Sequence, residues 1–315
     1  MSRHLGAAQD PRAVGATGVV RPPTQDLSLL AIGVLGSSTA GPLIAATAAP
    51  ALAIAFWRNG LGALVVIPCA LLRNRSEFRR LTLPILGLAL LAGVFLAVHF
   101  ATYTPSLRYT SVASATALVC SQAVWAGIFS RLLGERLPRQ AWAGTGLALL
   151  GVLLVTGVDV SLSSRALGGD GLALLGGVFG GAYIVAGSRV RLHLSTIAYT
   201  SLCYGACATL LLALCVLAGQ PLAGYATEDW VRIAALTVCA QLLGHSLFNL
   251  VLRSTSPTLV SLATLFTVPV SATLAALLLG QTPPPAAVPA LVLLVAGTGL
   301  VVSARDRVAQ VAPVE

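Results

Sequence analysis

Two histidines and an arginine carry the chemistry most evident in this chain, and each lies deep within apolar sequence. His99 stands in LLAGVFLAVHFATYT and His245 in VCAQLLGHSLFNLV. At helical spacing Phe95, His99 and Tyr103 share one face, and Gln241, His245 and Asn249 share another. Such polar stripes are costly against lipid, so both faces should turn inward. There an imidazole either braces a neighbouring helix through a hydrogen bond or lines a cavity. In a cavity its ordinary pKa of about 6.5 suits it to carrying a proton. The residues alone leave these two roles level. Arg58, in AFWRNGLGAL, poses the same choice. Its guanidinium matches a carboxylate in geometry and charge, yet an arginine serves equally well by bonding carbonyls at a helix end. Gln122 is a further polar side chain set among apolar neighbours.

Helices must hold these groups, and composition says of what kind. Of 315 residues, 57% are hydrophobic and 9% charged, with a mean hydropathy of +0.89. Soluble domains carry about 25% charged residues, so this chain lacks a soluble protein's surface. Apolar runs of about 20 residues, the length that crosses a bilayer, recur near 28–48, 51–72, 82–104, 109–132, 138–157, 170–188, 195–218, 230–252, 257–280 and 285–303. The expected fold is an all-α membrane protein of ten transmembrane helices. Arg58 then lies about seven residues from the outer end of its helix, roughly 10 Å deep. Partial snorkelling there would lessen an insertion cost of about 2.5–3.5 kcal/mol.

All 19 basic residues are arginine. Fifteen fall in the N-terminal stretch, in RNRSEFRR, SRLLGERLPR and GSRVR, at Arg253 and in ARDR, against Arg108, Arg165 and Arg232 on the other side. The positive-inside rule places both termini in the cytoplasm, and the net charge of +9 reports orientation rather than a nucleic-acid partner. Residues 1–27 read as a disordered cytoplasmic tail without a cleavable signal, 158–169 as an extracytoplasmic linker and 304–315 as a second cytoplasmic tail. The six cysteines read as small buried hydrophobes. Cys203 and Cys207 lie one helical turn apart, but no His or carboxylate completes a metal set.

The two halves repeat. Gly33-Val34-Leu35-Gly36 resembles Gly177-Val178-Phe179-Gly180 at an offset of 144. Gly60 matches Gly205, and Leu107-Arg108 matches Leu252-Arg253, both at 145. Leu133-Gly134 matches Leu279-Gly280 at 146, the offset that also relates His99 to His245. Units 28–157 and 170–303 would each hold five helices, an odd number, so the second copy must be inverted in the membrane. Two inverted five-helix repeats imply alternating access around a site between the halves near mid-membrane. Gly176, Gly177, Gly180 and Gly181 form overlapping GxxxG pairs and read first as a packing surface. Ser111, Ser114 and Thr116 read as hydroxyls bonding back to their own helix carbonyls.

LRYTSVASATALV (107–119), followed by SRLLGERLPRQAWAGTGLALLGVLLV (130–155), resembles the signature of the EamA-like branch of the drug/metabolite transporter superfamily. FWRNGLGALVVIP (56–68) is similar to that family's second helix and AYIVAGSRV (182–190) to its sixth, so the resemblance spans roughly 28–303. Three positions depart from the pattern. Ala123 replaces the proline common in the fourth helix, whereas Pro269 keeps its counterpart in the ninth. The second Gly-Glu motif reads Gly280-Gln281, and Leu35 replaces a frequent tryptophan.

The resemblance implies a secondary transporter of the cytoplasmic (inner) membrane, working as a monomer without cofactor or metal. Its substrate would be a small polar metabolite, amino acids or their derivatives first, moved outward through a cavity lined by the third, fourth, eighth and ninth helices. His99, Tyr103, Gln122, Gln241, His245, Asn249 and Arg58 are the expected cavity residues. Beyond Asp170, the first residue of the sixth run, no Asp or Glu falls within the ten runs. Proton-coupled carriers usually use an embedded carboxylate, so coupling here would rest on a histidine. A cationic drug would lack a partner, and neutral, zwitterionic or anionic molecules fit better. A multidrug or nucleotide-sugar carrier on the same fold is the alternative. A membrane enzyme is disfavoured because the cytoplasmic loops offer only Glu77 and Glu135 without a His-Asp or metal cluster, and a sensor because no soluble domain is appended.

Overall fold

The computed structural model describes residues 24–134, 138–156 and 164–281, with separate helical residues between 289 and 300. All regular structure among the described residues is helical, as hydrocarbon demands of a backbone that must satisfy its own N–H and C=O groups. The first span is α1 (Thr24–Ser38) continued by α2 (Ala40–Ala46), and α3 (Ala51–Arg73) is the second. A short α4 (Arg75–Arg79) leads into α5 (Leu83–Ser106). The fourth span is split into α6 (Val112–Val119) and α7 (Gln122–Leu132), and α8 (Arg139–Thr156) follows. The second half holds α9 (Ser164–Val190) and α10 (Thr196–Leu217). Next, α11 (Thr227–Leu236) runs through a π-helical stretch, Thr237–His245, into α12 (Ser246–Val251). Finally α13 (Pro257–Ala263), a 3-10 turn (Thr264–Phe266) and α14 (Thr267–Leu279) form one broken span.

Eight of these runs are long and apolar enough to cross a membrane. The fifth expected span coincides with α8, whereas the tenth, near 285–303, lies mostly outside the described residues, as do 1–23, 158–163 and 304–315. Helices also begin earlier than the hydropathy breaks suggest. Starting at Thr24, α1 takes in Asp26, whose carboxylate accepts the Ser254 hydroxyl at 2.6 Å. Starting at Ser164, α9 takes in Asp170, and the first turn of α11 holds Glu228 and Asp229. The expectation of spans free of carboxylates therefore fails at their ends. These acids all sit in the first two turns, where a helix's positive N-terminal end favours them, so an acidic residue does not mark a boundary there.

The halves interlock. The first helix of each packs on the third span of the other, α1 on the π-helix and α12, and α9 on α5, while α3 packs on α10. Glycines allow this approach. A methyl group on Gly36 would come within 2.4 Å of the Cys239 carbonyl, and one on Gly244 within 2.3 Å of Ser37 Oγ. On α9, a methyl at Gly177 would meet the Val119 carbonyl at 2.9 Å and one at Gly181 the Ala126 nitrogen at 2.8 Å. The fourth and ninth spans break at equivalent heights, after Val119 and at Thr264–Phe266. Ala123, where the family has proline, does not prevent the first break. There the Ser121 N–H bonds Leu118 O at 3.1 Å in place of a regular helical turn.

Filling the backbone-to-backbone contacts of α9 should destabilise the bundle. Gly177→Val and Gly181→Val should each cost about 1–3 kcal/mol, read as a lower melting temperature in detergent. Gly168→Ala, whose added methyl meets nothing within 4 Å, should leave the melting temperature unchanged or slightly raised.

Candidate functional site

A cavity of about 70 Å³ lies between the halves, bounded by α1, α3, α5, α9, α12 and the two helix breaks. Six of the seven residues expected at a cavity line it: Arg58, His99, Tyr103, Gln122, His245 and Asn249. The seventh, Gln241, stands behind Arg58. Its displacement has a local cause. At α-helical spacing Gln241 would share a face with His245 and Asn249, but the wider i→i+5 turn of Thr237–His245 rotates it towards α3. The Ser246 hydroxyl donates to the Gln241 carbonyl at 3.2 Å, five residues back.

The rotation completes a chain of amides. Asn59 Nδ2 donates to Ala55 O at 2.9 Å, so its Oδ1 is left to accept from Gln241 Nε2 at 3.0 Å. Gln241 Oε1 must then face Arg58, and it accepts Arg58 Nε at 3.1 Å. Arg58 does not snorkel and does not bond helix-end carbonyls. It is 1% exposed, its guanidinium carbon lies 4.1 Å from the Phe100 ring centroid, and Nη2 has no hydrogen-bond partner. No carboxylate is among the described residues lining the cavity.

Across the cavity His99 Nδ1 sits 2.8 Å from the Gly176 carbonyl. A carbonyl only accepts, so Nδ1 carries the proton and Nε2 is the acceptor of the neutral ring. The His99 and His245 rings lie 6.2 Å apart, and Tyr183 lies 6.0 Å from His245. Asn249 Nδ2 donates to the Tyr183 hydroxyl at 2.6 Å. Gln122 Nε2 donates to Thr264 Oγ1 at 2.8 Å, which joins the two broken spans. Gly180 makes room for this wall, since a methyl there would come 2.4 Å from Gln122 Oε1 and 3.0 Å from His99 Nδ1.

Three expectations change. Phe95 does not share the cavity with His99 and Tyr103, because its ring turns outward onto Phe179 with centroids 6.0 Å apart. Ser111 caps α6 by accepting the Ser114 N–H at 3.1 Å, and Thr116 lies on the cavity 3.4 Å from the Tyr103 hydroxyl. Tyr183, Thr264 and Thr267 were missed. The repeat offset pointed to one of them, for Thr267 is the counterpart of Gln122 at 145, and the Cys120 thiol donates to the Thr264 carbonyl at 3.4 Å. The packing glycines beside Tyr183 hid it.

Carboxylates do join the halves at either end of α3. Beyond its C-terminus, Glu77 Oε2 accepts the Ser195 N–H at 2.7 Å, and Glu77 Oε1 accepts Asn74 Nδ2 at 2.5 Å. Before its N-terminus, Asp229 Oδ1 accepts the Ala48 N–H at 3.0 Å, and Arg108 Nη2 donates to the Ala49 carbonyl at 2.9 Å. The 23 residues of α3 separate these latches by about 35 Å. Each carries an acid of one half to the loop before the second helix of the other. Burial alone would raise the Glu77 pKa, but the bonds from Ser195 and Asn74 and the charge of Arg191 outweigh it and hold the group below its ordinary 4.5.

The EamA-like transporter family model matches residues 25–157 and 167–303, once per half. The chain belongs to the EamA-like transporter family. With its apolar spans, this makes it a multi-pass membrane transporter of the drug/metabolite type. A solved crystal structure 21% identical in sequence has a similar fold, covering 90% of this chain and 98% of that chain with a TM-score of 0.72. No curated protein matches the chain by sequence.

Removing the amide behind the guanidinium should leave Arg58 Nε unsatisfied. Gln241→Leu should therefore cost about 1–3 kcal/mol in detergent melts, and Arg58→Met/Gln241→Leu should recover part of it, because removing both partners is less harmful than removing one. Glu77 gives an acid signature. A depressed folded pKa contributes stability above the unfolded value that is lost as pH falls through the folded one. Melting temperature below pH 4.5 should consequently fall less steeply in Glu77→Gln than in the parent.

Proposed function

We propose that this EamA-like protein is a secondary transporter that moves small polar metabolites, amino acids or their derivatives foremost, out of the cell across the cytoplasmic membrane. Arg58 carries the reading. It is a buried guanidinium on the cavity wall with an unbonded Nη2 and, among the described residues, no acid beside it. A buried charge without a counter-ion is costly, and a substrate carboxylate arriving in the cavity would supply one in the geometry a guanidinium prefers. The amide and hydroxyl groups of Gln122, Asn249, Tyr183 and Thr264 offer acceptors for the ammonium of a zwitterion.

In this reading both termini are cytoplasmic, as the arginine distribution favours, and the two halves are inverted copies that rock about the cavity as a monomer. The Glu77 and Asp229 latches are then its two gates, one of which opens while the other holds. We assign proton coupling to the facing imidazoles of His99 and His245. The multidrug reading is weaker. A cavity with no carboxylate among its described lining residues does not suit a cationic ligand.

Counterflow in proteoliposomes tests the proposal with neutral amino acids, dicarboxylates, nucleosides and a cationic dye. Exchange should be confined to carboxylate-bearing compounds and fall at least tenfold in Arg58→Gln. His99→Gln/His245→Gln should flatten any pH dependence of exchange. Exchange of the dye, or full activity in Arg58→Gln, would sink the assignment of substrate class. Unchanged pH dependence in the histidine double variant would remove the imidazoles from coupling.

A further inference from the structure

The short helix that carries the Glu77 latch turns a second face outward. Residues 73–80 read RNRSEFRR, with four arginines to one glutamate. On α4, Glu77 is bonded to Ser195 and Asn74, and Phe78 packs against the core to which α3, α5 and α10 contribute. These contacts pin one side of the turn and leave the arginines on the other. Arg75 and Arg79 stand one helical turn apart, and with Ser76 and Arg80 they line an open hollow of about 400 Å³. We propose that this hollow binds the phosphate headgroup of an anionic phospholipid, with Arg75 and Arg79 as its principal contacts.

Charge, anchoring and flanking sequence support that partner together. Arg73, Arg75, Arg79 and Arg80 are exposed and, among the described residues, none of them enters an ion pair or a side-chain hydrogen bond. Glu77 does not neutralise them, for its carboxylate faces Ser195 and the guanidinium that bears on it is that of Arg191. Like charges one turn apart repel, so α4 itself gains nothing from holding Arg75 and Arg79 on one face. Guanidiniums that converge on one space match the oxygens of a phosphate. Orientation in the membrane requires arginines on this side of the protein but not in one hollow, and Arg131 and Arg253 are exposed on the same side outside it. Apolar side chains flank the basic turn. Leu72 at the end of α3 is 79% exposed and Leu83 at the start of α5 is 83% exposed, so lipid chains reach the bundle beside the arginines. A soluble anion would match the arginines alone, whereas a phospholipid matches the arginines and the leucines on either side.

The test is native mass spectrometry of the purified full-length protein, delipidated and titrated with phosphatidylglycerol, with phosphatidylcholine of the same chains, and with inorganic phosphate. One phosphatidylglycerol should be retained in preference to phosphatidylcholine. Arg75→Gln/Arg79→Gln should weaken it about 10- to 30-fold. Arg131→Gln/Arg253→Gln removes the same charge elsewhere on that side and should leave retention unchanged. Ser76→Glu places an anion in the hollow while keeping every arginine, should also weaken retention, and is the second variant should the first unfold. Equal retention of the two lipids, undiminished binding in either folded α4 variant, equal weakening by Arg131→Gln/Arg253→Gln, or competition by inorganic phosphate at the lipid's own concentrations would each overturn the proposal. None of these readouts depends on transport, so the headgroup site and the cavity stand or fall separately.

Discussion

Inside a bilayer no side chain can turn to solvent for a hydrogen bond, and that constraint organises this bundle. Most intramembrane hydroxyls bond back to a carbonyl three or four residues earlier in their own helix, as Ser38, Thr102, Thr145 and Thr200 do. The few groups too large or too charged for that solution must find partners on other helices, and they converge where the two halves meet. Arg58 is the extreme case. Its Nε is satisfied by Gln241, Gln241 is oriented by Asn59, and Asn59 is anchored on α3's own backbone. One permanent charge thus fixes three side chains, and the π-helical turn that aims Gln241 across the interface belongs to the same solution.

Glycine and helix breaks supply the space for these contacts. The close approach of α1 to the π-helix and of α9 to α5, α6 and α7 puts backbone against backbone at the interface. The breaks after Val119 and at Thr264–Phe266 then turn Cys120 and Thr264 towards each other. Packing and site are therefore not separable here. Gly180 belongs to the packing face, yet it also lets His99 and Gln122 reach the wall of the cavity.

Much of this was legible in the amino-acid sequence because the membrane restricts the solutions. Periodicity and length sufficed for the spans that the described residues cover, the constant offset revealed the two halves, and the cost of polar groups in lipid turned His99, His245 and Asn249 inward. What could not be read depends on partners far away in the chain. Nothing in VCAQLLGH announces a π-helix, since that turn is stabilised by what Gln241 meets on α3 rather than by its own residues. Phe95 follows the same helical spacing as His99, but α9 offers it Phe179 outside the cavity. The acids within helix ends were misjudged for the opposite reason, for Asp229 is paid for by the Ala48 N–H and Arg232, both invisible to a hydropathy window.

The repeats share their architecture but not their charges. Arg58 corresponds by offset to Cys203, a buried thiol in a helix that packs directly on α3, so the fold tolerates an apolar residue at that height. The latches, by contrast, are duplicated, with Glu77 and Asp229 each reaching the loop before the other half's second helix. A repeated scaffold therefore provides two comparable latches on either side of an electrostatically lopsided cavity. Arg58 lies seven residues into α3, nearer the Asp229 latch than the Glu77 latch. An anionic group drawn to it would be held towards that end, with the rest of the molecule extending towards His99 and His245. Opening at the Glu77 end would then expose the neutral part of such a substrate first, and opening at the Asp229 end would expose its charged part to water. On the function proposed above, release of a carboxylate would be easier at the Asp229 end, where hydration could replace the guanidinium at once.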